Sequence, residues 1–242
     1  DLARLKQWAE VGSRQDTQLW VQLNHPGKQS PNMVTKQPVA PSAIPLEARF
    51  SRYFNPPREL NEADIHDIIQ RFARAAAVVK QAGFGGVQIH GAHGYLVSQF
   101  LSPHHNQRTD QWGGSLQNRA RFVMEIYRAI REQVGAEFPV SIKLNSADFQ
   151  RGGFTEEESM AVVEMLDQAG MDLIEISGGN YESPNMTGKN VKASTAAREA
   201  YFMEYAEQIR TRVQTALMVT GGFRSAEGMV RAIESGATDM VC

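Results

Sequence analysis

QAGFGGVQIHGAHGY, residues 81–95, holds a helix end, a glycine stop, a buried strand and a polar terminus in one short run. Gln81 and Ala82 close a helical stretch, Gly83 is placed to cap it, and Val87 to Ile89 form an apolar strand. The same grammar returns in QAGMDLIEI (168–176) and ESGATDMVC (234–242). Repeated units of helix, glycine cap and buried strand are the mark of successive βα units on a parallel sheet.

Working outward, helix and strand alternate along the whole chain. A helix over 2–12 carries Leu2, Leu5, Trp8 and Ala9, and a strand follows at 18–23. The connection from Pro26 to Pro57 reads as a long loop, a length that in compact domains accompanies function. Asn61 caps a helix whose Ile65, Ile68, Phe72 and Val79 fall at helical spacing. After the strand at 86–90, Ser115 caps a helix with Phe122, Ile126, Ile130 and Val134 on its inner face, ending at Gly135. A strand at 140–145 precedes a Thr155/Glu158 capping box, whose helix runs to Gly170. Strand 172–177, helix 197–213, strand 216–220, helix 225–235 and strand 238–242 complete the series. With no break in composition, residues 1–242 read as one domain of α/β class, an incomplete TIM (β/α)8 barrel. A doubly wound open sheet is the other architecture, and it lacks a G-x-G-x-x-G after an early strand.

Bulk properties exclude several function classes. Lys and Arg total 25 against 27 for Asp and Glu, a net charge of −2, which offers no basis for nucleic-acid or membrane binding. No apolar run approaches the ~20 residues of a membrane span. A lone cysteine, Cys242, precludes an internal disulfide framework and suits a reducing, cytoplasmic setting. The chain opens in a helix at Asp1 and closes in a strand, so it reads as a piece of a longer protein.

Chemistry concentrates where the strand at 86–90 ends. His90, His93 and Tyr95 follow it, with Gly91 and Gly94 free to turn the backbone so that all three side chains converge. Two imidazoles here also suit a metal, as in a barrel hydrolase, but the other strand ends offer Lys143, Ser177 and Gly221, which are poor ligands, and His104 and His105 sit in a loop. In strand 140–145, period-two alternation turns Val140, Ile142 and Leu144 toward covering helices and Ser141, Lys143 and Asn145 into the barrel. An ammonium there requires an anionic or electron-rich partner. Val219 to Ser225 passes from a strand through Gly221 and Gly222 into a helix start, a turn whose amides can face an anion.

The run from Gly83 to Phe122, with its strand ending His-x-x-His, its Tyr two residues on and its FLSP…N.RTD..GGS..NR.RF segment, resembles the old yellow enzyme family of FMN-dependent oxidoreductases. Gln22, followed by Asn24, His25, Pro26, Gly27 and Lys28, is similar to that family's QL.H.G(R/K) run. The resemblance implies that the visible strands are the third to the eighth of the barrel, with the first two outside this chain. It implies bound FMN, with NAD(P)H as reductant and small enone-like molecules as substrates. His90 and His93 would hold the substrate oxygen and Tyr95 would supply a proton. Gln22 and Lys143 would meet the flavin pyrimidine edge, Lys143 raising its potential, and Gly221, Gly222 and Phe223 would meet its phosphate. His25 is expected to be structural, and Arg108, Asp110, Asn118 and Arg119 to brace the loop after the strand at 86–90. Tyr181 and Arg198, in segment 178–203, stay unassigned.

Overall fold

A computed structural model describes residues 1–183 and 202–242. Its main sheet is six-stranded and wholly parallel, in the order β1 (Trp20–Leu23), β4 (Gly86–Gly91), β5 (Val140–Asn145), β6 (Leu173–Ser177), β7 (Ala216–Val219) and β8 (Met240–Val241). Between these strands run α2 (Glu62–Ala82), α4 (Leu116–Val134), α5 (Glu156–Gln168), α6 (Met203–Arg210) and α7 (Ala226–Glu234), with α1 (Leu2–Gly12) preceding β1. This is the strand–helix succession of a TIM barrel.

Alternation along the strands builds two faces. Val87, Ile89, Val140, Ile142, Leu144, Ile174, Ile176, Leu217 and Val219 have no exposed surface and pack beneath the helices. The register sets the opposite face in layers, because partners in a parallel ladder point the same way. Gln22, Gln88 and Ser141 form one layer, and His90, Lys143, Glu175 and Met218 the next. The concave face therefore gathers polar side chains from several strands beside apolar ones such as Leu173 and Met218.

Helix ends follow local chemistry. Asp64 N donates to Asn61 Oδ1 at 2.9 Å and Asn61 N to Asp64 Oδ2 at 3.1 Å, a reciprocal cap. Thr155 and Glu158 form the same box, Ser115 accepts from Asn118 N, and Gly83 closes α2.

Four features depart from the expectations. A short helix α3 (Leu96–Leu101) follows Tyr95 directly, all six residues buried, in a stretch without helical periodicity. The long connection carries a small parallel ladder, β2 (Val39–Ala40) with β3 (Arg58–Glu59). The last strand is shorter than 238–242: at its start Leu217 N donates to Asp239 Oδ2 at 2.8 Å instead of to a strand carbonyl, although Asp239 N and Cys242 N still donate to Leu217 O and Val219 O. The helix expected over 197–213 is seen as Met203–Arg210, and residues 197–201 lie outside the described residues.

Arg108 ties the long connection to the loop after β4, donating to Pro41 O at 2.9 Å and Leu60 O at 2.6 Å while pairing with Asp110. Arg119, buried, pairs with Glu158 at 2.5 Å and donates to Leu101 O. Both act as the bracing network expected of them.

Candidate active site

β4 ends in a tight turn that gathers the polar side chains. Gly94 has φ 76°, and a Cβ there would lie 2.8 Å from Gln29 Oε1 and 2.9 Å from Asn180 Cβ, so only glycine fits. His93, at φ 61°, adopts the left-handed region without glycine's freedom. It is held there by three bonds: its N–H to Asn145 Oδ1 at 3.1 Å, its carbonyl from Gln29 Nε2 at 3.0 Å, and its Nε2 with Ser177 Oγ at 2.8 Å. Asn145 is itself fixed by donating to Asp148 and to Gly179 O.

The turn brings His90, His93 and Tyr95 together. The His90 ring centroid lies 5.1 Å from that of His93 and 4.8 Å from that of Tyr95. His90 Nδ1 accepts from Ala92 N, which leaves the proton on Nε2. Burial, then the neighbouring His93 and Lys143, lower the His90 pKa to about 3. Burial and Lys143 lower that of His93 to about 4. Both rings are therefore neutral N–H donors at neutral pH. Tyr95 is pushed up to about 12 by burial and by its contact with Tyr181, whose hydroxyl lies 3.1 Å away.

Lys143 stands in register with His90 on the concave face. Glu175, buried on the next strand, meets its Nζ at 2.8 Å. Glu175 was overlooked although the alternation Leu173, Glu175, Ser177 in β6 carries the same signal as that of β5. Gln22 Nε2 donates to Gln88 Oε1 at 2.7 Å, and Gln88 Nε2 to Glu175 Oε2 at 2.8 Å. Gln22, Gln88 and Glu175 line a cavity of about 390 Å³ with Trp20, Leu173 and Met218, within the range of small-molecule pockets.

At the β7 turn, Gly221 and Gly222 have φ of 109° and 83°. Gly221 N donates to Cys242 O at 3.2 Å, so the Gly221 amide, expected to face an anion, is already committed to the β8 end. The amides of Gly222 and Phe223 have no acceptor among the described residues and lead into α7. His25 is structural as expected, its Nδ1 accepting from Gly27 N at 3.1 Å. Tyr181 joins the site through Tyr95, whereas Arg198 lies outside the described residues.

A second imidazole cluster sits nearby, with donor atoms of His104, His105 and Glu182 within 4.8 Å of one another. Buried Lys28 places Nζ 3.0 Å from His105 Nδ1. Burial lowers its pKa to about 8, so at neutral pH it is an ammonium that occupies this lone pair and leaves the His105 proton on Nε2, 3.8 Å from Glu182. The cluster ties the long connection to the β6 loop, with Glu47 N donating to Glu182 at 2.8 Å.

Three comparisons agree with this geometry. The chain is 39% identical to the NADH-dependent flavin oxidoreductase iccE of Talaromyces variabilis, over 98% of its own length and 61% of the relative's. It is 38% identical to the iliE oxidoreductase of Hypocrea jecorina, over 99% of its length and 64% of the relative's, so it spans under two thirds of both. Among solved structures, a 2-naphthoyl-CoA reductase complex superposes with a TM-score of 0.88 at 30% identity, covering all of this chain and 38% of that one. Histamine dehydrogenase from Rhizobium sp. 4-9 gives 0.85 at 30% identity, covering all of this chain and 34% of that one. With the family model matched across residues 1–242, the chain belongs to the NADH:flavin oxidoreductase / NADH oxidase family.

Proposed function

We propose that this chain carries the substrate-facing part of an FMN-dependent ene-reductase, which uses NAD(P)H to reduce alkenes activated by a carbonyl. The observation that carries the reading is the convergence of two neutral imidazoles and a protonated phenol at the end of β4, beside Lys143. FMN, when bound, supplies the hydride relay between nicotinamide and substrate.

The residues fit such a group at both ends. Gln22 retains an amide oxygen and one N–H beyond its bond to Gln88, which suits the alternating donors and acceptors of a pyrimidine edge. Lys143 adds a cation beside it. The Gly222 and Phe223 amides, at the start of α7, suit a phosphate.

His90 Nε2–H is free to donate to a substrate carbonyl oxygen. In the tautomer in which Ser177 donates to His93 Nε2, the His93 proton sits on Nδ1 and gives a second donor. Two donors on one oxygen stabilise the charge that develops as the alkene accepts hydride. Tyr95 then delivers a proton to the carbon next to the carbonyl, and its raised pKa keeps it protonated. The reading is favoured over a metal-hydrolase one by His90, whose Nδ1 accepts from a backbone N–H, so that its Nε2 keeps a proton and donates rather than ligates.

Tyr95→Phe tests the proton role. It should slow oxidation of the reduced protein by an enone by 10²-fold or more, while NAD(P)H oxidation keeps its rate. Equal losses in both halves would contradict the role.

A further inference from the structure

We propose that Glu175 is a positioning residue for the cofactor's pyrimidine edge: it neutralises Lys143 and, through Gln88, orients the Gln22 amide. The inference rests on the FMN reading above and adds to it the residue that governs two of its contacts.

Glu175 lies mid-strand in β6 and is 3% exposed. A carboxylate so buried must be paired and hydrogen-bonded. It receives Lys143 Nζ at 2.8 Å on Oε1, the Thr220 hydroxyl on the same oxygen, and Gln88 Nε2 at 2.8 Å on Oε2. Side chains from β4, β5 and the residue just after β7 therefore meet at this β6 carboxylate, and β1 joins through Gln22.

Polarity runs one way along this chain. An ionised carboxylate only accepts, so Gln88 must turn its NH₂ toward Glu175 and its oxygen toward Gln22. Gln22 must then present its NH₂ to Gln88, which leaves its oxygen and one N–H for the cavity. An amide flip at Gln22 would set oxygen against oxygen. The carboxylate on β6 thus dictates what a residue three strands away, on β1, offers to a ligand.

The second consequence is electrostatic. A free ammonium on the concave face would favour the electron-rich, reduced form of a bound flavin. With Glu175 at 2.8 Å, Lys143 acts as half of an ion pair, and the counter-charge offsets a large part of its pull, the more so the farther a ligand lies from the pair. The effect expected of Lys143 alone, a raised potential, is accordingly damped.

The test equilibrates the FMN-loaded protein, expressed from its complete reading frame, with a reference dye under anaerobic conditions. The ratio of reduced to oxidised flavin is read at fixed dye ratio, with FMN affinity measured in parallel by fluorescence. Glu175→Gln should raise the reduced-to-oxidised ratio about tenfold. Where that variant does not fold, Lys143→Met combined with Glu175→Gln replaces a neutral pair by neutral side chains. Its ratio should stay within about threefold of wild type. An unchanged ratio in the single variant, or a tenfold fall in the double, overturns the role of Glu175 while leaving the flavin reading intact. A wild-type protein that takes up no FMN overturns the flavin reading itself, and this inference with it.

Discussion

The neutrality of His90 and His93 is bought by burial, and it has a thermodynamic consequence. Their folded pKa values, about 3 and 4, lie below the 6.5 of an unfolded histidine. Between these limits the unfolded chain binds protons that the native state refuses, so stability is intact above pH ~6.5 and falls as pH drops toward 4. Lowering pH from 7 to 5 should cost about 2 kcal/mol per histidine, read by urea unfolding. His90→Asn should remove its share of that slope, and an unchanged slope would contradict the assignment. Tyr95 gives a second residue-level expectation. Tyr181→Phe deletes a contact that holds the Tyr95 pKa up, so Tyr95 should ionise at lower pH. Enone reduction should then begin to decline at a lower pH in the variant than in the parent, with burial still holding the phenol above its ordinary value. At this scale His90, His93, Tyr95 and Lys143 were legible, because strand ends and alternation point directly at them. Glu175 was legible by the same alternation and was passed over, since a single acid in an apolar strand carries no local motif.

At the scale of elements, caps and periods were readable because they are local. Asn61, Ser115 and Thr155 sit where hydroxyl or amide oxygens meet orphan amides, and each does so in the structure. Thr155→Ala should destabilise by about 1 kcal/mol in denaturant unfolding, because α5 loses its box while Glu158 keeps Arg119. Helix α3 and the β2–β3 ladder were not readable. Six residues of α3 show no amphipathic period because all are buried, and two-residue strands have no period at all. The extent of β8 is not readable for another reason: the Asp239 side chain takes the Leu217 amide that a strand carbonyl would otherwise accept.

For the molecule as a whole, the parallel order follows from three similar helix–glycine–strand junctions, and the structure arranges them in one six-stranded sheet. Less visible in advance was how the long connection is secured. Lys28, Arg108 and Glu182 hold it through contacts distant in sequence, which no window of residues displays. Because the proposed cofactor contacts come from β1, β5 and the β7 turn, FMN should link segments across the sheet. At 100 times its Kd, FMN should raise stability by about 2.7 kcal/mol, visible as a higher melting temperature; no shift at saturation would argue against binding across these strands. The most direct measurement is the visible spectrum of the protein, expressed from its complete reading frame with FMN and titrated anaerobically with NADH, NADPH and then an enone. A flavin band that bleaches with nicotinamide and returns with the enone is the expected result. A protein that remains colourless in FMN, or whose bleached band ignores the enone, would contradict the account.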